Sequence, residues 1–428
     1  MIVTRKRYLD RLLEFKDEDL IKVVTGVRRC GKSTLLEMMQ EHLIAGGVPE
    51  SRTVMLKMES VEFDDLPDYR ALYKLIREKV DGVEHPYIFL DELQDIDGWE
   101  KAVNSLRVDV DCDIYITGSN AFLLSSELST LLSGRYVEIE MLPLSFAEYL
   151  DFRKAEPVDG GKNGLALLED GTPIPLSELL SQYRRYGGFP FLASREPDRS
   201  RHQAYCKSLY DTVVVRDILE RDRRRKQSRL SNPALLERIC LFLSDNIGNE
   251  NSVNSIAGAV RADGLAAANS TIGGYMQALC EAYLFYPVQR YDIKGKQLLK
   301  TNGKHYIVDP GLRNYLEDYR DSDIGRALEN IVFLQLKYDG YSVSVGKVRD
   351  VEVDFIAKKG SERIYIQVTD NMHSELTLER ELKPLRAIRD AFPKIVIVGE
   401  GSYPENIDGI RIVNAVDFLL GLRLAKET

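Results

Sequence analysis

No apolar run in this 428-residue chain approaches the roughly 18–20 residues needed to cross a bilayer, which excludes a helical membrane protein from the reading. Cysteine is scarce: five residues, odd in number and scattered, build neither a disulfide framework nor a C-x-x-C pair. Five dispersed histidines likewise offer no structural zinc site. The basic start Met1-Ile2-Val3-Thr4-Arg5-Lys6-Arg7 has no apolar stretch behind it, so a secretory leader is not expected. Positive charge is not in excess either. Against 58 Lys and Arg stand 67 Asp and Glu, a formal net charge of −9, which argues against a surface that coats nucleic acid throughout. What remains, at 44% hydrophobic and 29% charged residues, is a soluble globular chain too long for one ordinary core. A cytoplasmic location is the simplest expectation.

Against these absences stands one strong local pattern. Gly26-Val27-Arg28-Arg29-Cys30-Gly31-Lys32-Ser33 fits G-x-x-x-x-G-K-[ST], between a strand-like run at 20–25 and an apolar-periodic helix opening at Thr34. Glycines at both ends let a backbone turn its N–H groups inward around a polyphosphate. Lys32 then reaches the β/γ oxygens, the Ser33 hydroxyl joins a Mg²⁺ shell, and the helix N-terminus through Thr34 favours the anion.

Downstream, Tyr87-Ile88-Phe89-Leu90-Asp91-Glu92 is an apolar strand ending in two carboxylates. That order suits a metal-supporting acid, Asp91, followed by a water-polarising acid, Glu92. A third strand, 112–117, runs into Gly118-Ser119-Asn120. Ser119 and Asn120 are candidates to bond the γ-phosphate or the lytic water, with a plain turn as the competing explanation. Arg135, in Ser133-Gly134-Arg135-Tyr136, is either an arginine finger for a neighbouring subunit of a homo-oligomer or a surface salt-bridge residue.

Residues 21–150 resemble the AAA+ ATPase module of a large prokaryotic family. The likeness rests on GVRRCGKST, YIFLDELQDIDGWE, ITGSNAFLLSSELSTLLSGRYVEIEMLPLSFAEYL and YRRYGGFP. It extends through Val214-Val215-Arg216-Asp217-Ile218, Val308-Asp309-Pro310-Gly311-Leu312-Arg313-Asn314 and Glu352-Val353-Asp354-Phe355-Ile356-Ala357, where such ATPases carry a C-terminal domain of unknown function. The resemblance implies ATP binding with Mg²⁺ and ATP hydrolysis, but no particular client. GTP is the weaker alternative, because no N-K-x-D tetrapeptide occurs where one would be expected.

The remainder predicts further modules. Turn formers at 156–164 suggest an exposed loop, and 177–227 reads as a largely helical lid and connector, broken at Gly187-Gly188-Phe189-Pro190. Arg216, Arg221, Arg223, Arg224, Arg225, Lys226 and Arg229 crowd one stretch, but interleaved acids favour a solvated helix face over a DNA patch. Three helices, over 233–244, 252–261 and 268–282, precede a hairpin from 284–288 to 304–308. This order resembles a winged helix, with Asn269, Ser270, Thr271, Tyr275 and Gln277 on the recognition helix and Lys294, Lys296 and Lys300 on the wing. The absence of Arg and Lys from that third helix weighs against DNA and leaves protein docking equally open.

Beyond it, Glu329 on a helix, Asp354 on a strand and a following strand at 363–369 resemble the layout of PD-(D/E)xK nucleases. Gln367 stands where the second acid belongs and Thr369 where the lysine belongs, so cleavage is not expected. The expected fold is therefore α/β: a P-loop NTPase (AAA+) core at 1–155 and a helical lid at 156–228. A winged helix at 229–318 and a restriction-endonuclease-like α/β domain at 319–428 complete it. The expected function is a Mg²⁺-dependent ATPase that moves a C-terminal module docking double-stranded DNA or a protein client. The alternatives are an ATP-gated DNA-processing nuclease and a nucleotide-dependent signalling or defence switch with little hydrolysis.

Overall fold

The computed structural model describes residues 3–63, 66–121, 132, 134–220, 230–265, 267–320 and 323–422. The chain divides into two units: Met1–Leu142 with Glu281–Tyr283, and Pro143–Cys280 with Leu284–Thr428. No helix among the described residues is long and apolar enough to cross a membrane.

The first unit is a five-stranded parallel sheet. Helix α1 (Lys6–Glu14) precedes β1 (Ile21–Thr25), and α2 (Lys32–Ala45), α3 (Tyr69–Lys79) and α4 (Trp99–Asp109) supply the crossovers to β2 (Thr53–Lys57), β3 (Tyr87–Asp91) and β4 (Asp113–Gly118). The order is β2-β3-β4-β1-β5, where β5 is Tyr136–Glu140. Parallel strands covered on both faces need apolar residues without alternation, and β1, β3 and β4 are buried at every position. One face sends Val23, Ile88, Leu90, Ile114 and Ile116 against Leu72, Ile76, Val103 and Leu106 of α3 and α4. On neighbouring positions Phe89 and Tyr115 stack at 4.9 Å. Lys22 is buried there too, paired with Asp113, which also accepts from the Tyr115 hydroxyl at 2.7 Å. Because β4 lies between β1 and β3, the loop after β1, the acids after β3 and the polar end of β4 emerge side by side at the carboxyl edge.

The second unit opens with helix Phe146–Arg153, whose Ser145–Glu148 capping box fixes its start. Within the loop expected at 156–164 only Glu156–Pro157 is strand, the first of a small antiparallel sheet of β6 (Glu156–Pro157), β7 (Leu165–Leu167) and β8 (Pro173–Pro175), and residues 158–164 form the mostly exposed connection from β6 to β7. Helices Leu176–Tyr186, Pro190–Ala193 and Arg199–Asp211 follow, and the backbone continues as a π-helix over Thr212–Glu220. The cationic run from Arg221 to Arg229 and the side chain of Arg216 lie outside the described residues, as do residues 122–131 of the ATPase motif.

Three helices stand where the sequence places them, at Pro233–Asp245, Val253–Ala262 and Asn269–Glu281. Tyr275 corrects the expectation of a base-reading side chain. It is 1% exposed, and its hydroxyl accepts from Asn232 N at 2.8 Å. The hairpin β10 (Phe285–Asp292) and β11 (Gln297–Ile307) is not a free wing. Near its turn, β10 pairs in parallel with β12 (Ser342–Val348), from Arg290↔Val345 to Asp292↔Lys347. This joins the hairpin, with β9 (Glu250–Asn251), to β13 (Val351–Lys359), β14 (Glu362–Thr369), β15 (Lys394–Val398), β16 (Asn406–Ile407) and β17 (Ile410–Asn414) in one nine-stranded sheet. The side chains of Lys294 and Lys296 are exposed at the turn, and that of Lys300 is outside the described residues.

Two sequence motifs turn out to be one joint. Asp309 caps helix Pro310–Glu317 by accepting from Leu312 N at 2.9 Å, and its other oxygen accepts from Gly188 N at 2.6 Å. A Cβ on Gly187 would lie 2.1 Å from Asp309 Oδ1, and one on Gly311 would lie 2.3 Å from Tyr186 O. Glycine is thus required on both sides of the contact. Burial pushes the Asp309 carboxyl up to about 6, against the backbone donors that favour its charge. A carboxyl whose folded pKa is raised is destabilising at neutral pH and is relieved as pH falls through that value. Asp309→Asn turns an amide against the Gly188 N–H, and it should cost about 1–3 kcal/mol at pH 7. The gap should widen from pH 7 to pH 4, as the wild type alone gains from protonation. Paired urea titrations at the two pH values check both statements.

Candidate nucleotide site

Gly26, φ 137°, starts the loop after β1, and Gly31, φ 106°, ends it as the residue before α2. A Cβ on Gly26 would stand 2.1 Å from the Met141 carbonyl oxygen, so only glycine lets the loop pass under the end of β5. Gly26→Ala combines that clash with a disfavoured φ, a strain of about 1–3 kcal/mol, and should weaken ATP-analogue binding by about tenfold or more. Titration with a fluorescent ATP analogue reads the loss. Val27 and Cys30 are buried beneath the loop, while Arg29 is exposed. Arg28 reaches away from the loop to Glu59 at 2.7 Å. The first helical bond of α2 is Leu35 N to Gly31 O, 3.0 Å, so the N–H groups of Lys32, Ser33 and Thr34 precede the helical ladder.

Lys32 is 3% exposed, and its ammonium donates to Gly26 O at 3.1 Å and Val27 O at 3.3 Å, with Glu92 Oε1 at 3.5 Å. Ser33 Oγ donates to Asp91 Oδ1 at 3.0 Å. Thr117, which the sequence reading did not single out, ties the two acids together. Its hydroxyl donates to Asp91 Oδ1 at 2.5 Å and accepts from Glu92 N at 2.9 Å. Ser119 Oγ donates to Glu92 Oε2 at 3.1 Å, and the Gln94 amide donates to the same oxygen. Glu92 holds φ 57°, a left-handed conformation unusual for a residue with a side chain, so the chain turns sharply as it leaves β3. Asn120 is buried next to Ser119.

The two acids differ. Burial pushes the Asp91 carboxyl up, although the Thr117 and Ser33 hydroxyls oppose this. Burial acts the same way on Glu92, but the Lys32 ammonium, Gln94, Arg28 and Ser119 outweigh it and hold that carboxyl below its ordinary value. A hydroxyl and a carboxylate 3.0 Å apart beside a buried ammonium suit a hard, oxygen-seeking cation such as Mg²⁺.

Arg135 stands elsewhere. It is exposed ahead of β5, and its carbonyl accepts from Ile21 N at 2.9 Å, at the amino end of β1. The phosphate loop leaves the carboxyl end, four strand steps or about 13 Å away, so Arg135 does not reach the loop of its own chain.

The second unit holds a buried charge cluster at the positions resembling a nuclease. Lys304 of β11 pairs with Glu329 at 3.1 Å and Glu352 at 2.7 Å, and Tyr306 donates to the same Glu329 oxygen at 2.6 Å. Asp354 accepts from Val368 N at 2.8 Å, and its own N–H points to Gln367 Oε1 at 3.4 Å. Thr369 bonds Asn371 O at 3.0 Å. Burial and the Glu329 carboxylate push Asp354 well above the usual range. Burial alone would lower Lys304, but Glu329, Asp354 and Glu352 raise it. No local spacing in the sequence announces Lys304 as a member of this cluster.

A phosphate loop after the first strand and an acid pair after β3, with a further strand between them, define an AAA-type domain. The AAA domain family matches residues 18–150, and a domain of unknown function (DUF8612) matches residues 177–323. The chain belongs to one family with an uncharacterized protein of Haemophilus influenzae, 38% identical over 424 residues that cover 98% of this chain and 99% of that one. It is also similar to the uncharacterized protein MJ1544 of Methanocaldococcus jannaschii, 28% identical over 400 residues, 91% of this chain and 83% of that one. Among solved structures it is similar to the Walker-type ATPase PABY2304 of Pyrococcus abyssi, at a TM-score of 0.43 and 17% identity over 74% of this chain and 96% of that one.

Proposed function

We propose that the first unit binds ATP with Mg²⁺ and hydrolyses it to ADP and phosphate. The observation that carries this reading is the hydrogen-bonded chain Ser33–Asp91–Thr117–Glu92 beside the buried Lys32 ammonium. Lys32 exchanges its two loop carbonyls for phosphate oxygens, and the loop N–H groups from Val27 to Thr34 receive the remaining charge. Ser33 and Asp91 would hold the Mg²⁺, which would supply charge neutralisation to the phosphates. Glu92 accepts a hydrogen bond from the attacking water and orients it, once its oxygens exchange Ser119 and Lys32 for that water. Asn120 and Ser119 bond the γ-phosphate or the water. Arg135, distant from its own loop, acts on a neighbouring copy in a homo-oligomer.

The second unit is the working module of this proposal: a lid and connector at 156–228, a winged-helix-like part at 229–318 and a nuclease-like part at 319–428. Exposed Asn269, Ser270, Gln277, Lys294 and Lys296 support docking of double-stranded DNA or a protein client there. Cutting is not part of the proposal, because Lys304 already neutralises the carboxylates at the position where a nuclease would gather metal. The reading places the protein in the cytoplasm. Phosphate release from ATP, with Mg²⁺ or with EDTA and with or without double-stranded DNA, tests it alongside mass measurement in saturating nucleotide. A rate indifferent to EDTA would contradict the ATPase reading. A purely monomeric mass would contradict the role of Arg135.

A further inference from the structure

A loop that presents its N–H groups to phosphate must turn its carbonyls the other way, and buried carbonyls need donors. Cys30 O is one of these. It accepts from the Arg5 guanidinium at 3.1 Å, and the same nitrogen donates to Leu142 O at 2.8 Å. Arg5 lies outside the matched AAA segment, yet it is 3% exposed. It is held in position three ways. As the residue before α1, it accepts from Tyr8 N at 3.1 Å and Leu9 N at 3.2 Å. Its guanidinium lies over the Tyr8 ring, 4.6 Å from the centroid. The Tyr8 hydroxyl accepts from Leu142 N at 3.1 Å, so the peptide groups on both sides of Leu142 are clamped by this one pair of side chains.

In a planar trans peptide the C=O of one residue and the N–H of the next point in opposite directions. A Cys30 carbonyl fixed on Arg5 therefore turns the Gly31 N–H away from Arg5 and toward the concave side of the loop. Gly31, at φ 106°, has a backbone free to adopt other orientations, so nothing intrinsic to the residue holds that peptide in place. We propose that Arg5 is a positioning residue for the nucleotide site, locking the Cys30–Gly31 peptide so that the Gly31 N–H is aimed at the polyphosphate. This inference rests on the ATP-binding reading and adds to it a residue supplied by the segment ahead of the first strand. It also makes α1 a part of the binding apparatus: the guanidinium that orders the loop also holds Leu142, just beyond the end of β5.

The test uses the full chain and two variants. Arg5→Met removes the donor at similar length, and Arg5→Lys keeps a cation that can serve one of the two carbonyls. The readouts are circular-dichroism melting without nucleotide and titration with a fluorescent ATP analogue, in competition with ATP and with inorganic tripolyphosphate. The expected result is that Arg5→Met loses about tenfold in affinity for ATP and for tripolyphosphate alike, because the contact concerns phosphate and not base or ribose. Arg5→Lys should recover part of that loss at an unchanged melting temperature. Folded variants that bind both ligands as tightly as the wild type would overturn the inference. So would failure of both variants to fold, which assigns Arg5 to the scaffold alone. A wild-type chain that binds neither ligand would instead bring down the ATP reading and this inference with it.

Discussion

Phosphate release from ATP should fall by about 10²- to 10⁴-fold when Glu92 is replaced by Gln, while ATP binding stays within a few-fold of the wild type. Gln fills the same volume, and its amide oxygen still accepts from Ser119, now 3.1 Å from Glu92 Oε2. The backbone bond from residue 92 to Thr117 is untouched. What disappears is a carboxylate able to accept from and orient water. Its ionised form is well prepared, because Lys32 and its other donors hold Glu92 below the ordinary carboxylate pKa despite burial. Asp91 differs in kind: burial, with the Glu92 carboxylate, pushes it up against the Thr117 and Ser33 hydroxyls and the Lys32 ammonium, so a further cation at Ser33 and Asp91 would favour its charge. Asp91→Asn should therefore lower Mg²⁺-dependent nucleotide binding itself, where Glu92→Gln lowers turnover. A coupled phosphate assay with parallel equilibrium binding separates the two. Equal turnover by wild type and Glu92→Gln would remove Glu92 from the chemistry, and if both rates were negligible it would favour a nucleotide switch with little hydrolysis.

The features legible in the sequence are those whose physics is local. The loop from Gly26 to Ser33 carries its own signal because φ values of 137° and 106° at its two glycines are a backbone requirement. Asp91 and Glu92 stand out because carboxylates ending an apolar strand must leave the sheet at its edge. Thr117 was hidden: a threonine inside a buried strand fits β-propensity, and only the placement of β4 beside β3 turns it into a bridge between the acids. Arg5 was hidden for the same reason, as its target Cys30 O is a main-chain atom that leaves no trace in the sequence. The hairpin itself is legible from its two strand-like runs, but its pairing with β12 is a contact across more than fifty residues that no local pattern encodes. Tyr275 is a core residue that local sequence cannot tell from a surface one, because a tyrosine on a helix looks alike whether its ring faces solvent or the core.

The same long-range pairing gives Lys304→Met a large expected effect. In the wild type one ammonium, 4% exposed, faces Glu329 and Glu352 within ion-pair distance, with Asp354 adding to the field that keeps it protonated. Removing one partner of a buried ion pair leaves the others uncompensated, at a cost of about 3–5 kcal/mol. Methionine keeps most of the length and apolar volume of lysine, so the loss is electrostatic and not a cavity effect. The buried Asp354 carboxyl is already held above its ordinary range and loses the ammonium that favours its charge, so it is destabilising at neutral pH and is relieved as pH falls through its raised value. The deficit of Lys304→Met should thus be largest near pH 7 and shrink toward pH 4. Adding Glu329→Gln should recover part of it, since Tyr306 donates to Glu329 Oε1 at 2.6 Å and a glutamine oxygen can accept the same bond. Thermal melting of wild type, Lys304→Met and the double variant across this pH range measures all three effects. A single variant that melts with the wild type at neutral pH would mean that water already screens the cluster. The lysine would then not be the resident cation of that sheet and would not bar metal-dependent cleavage there.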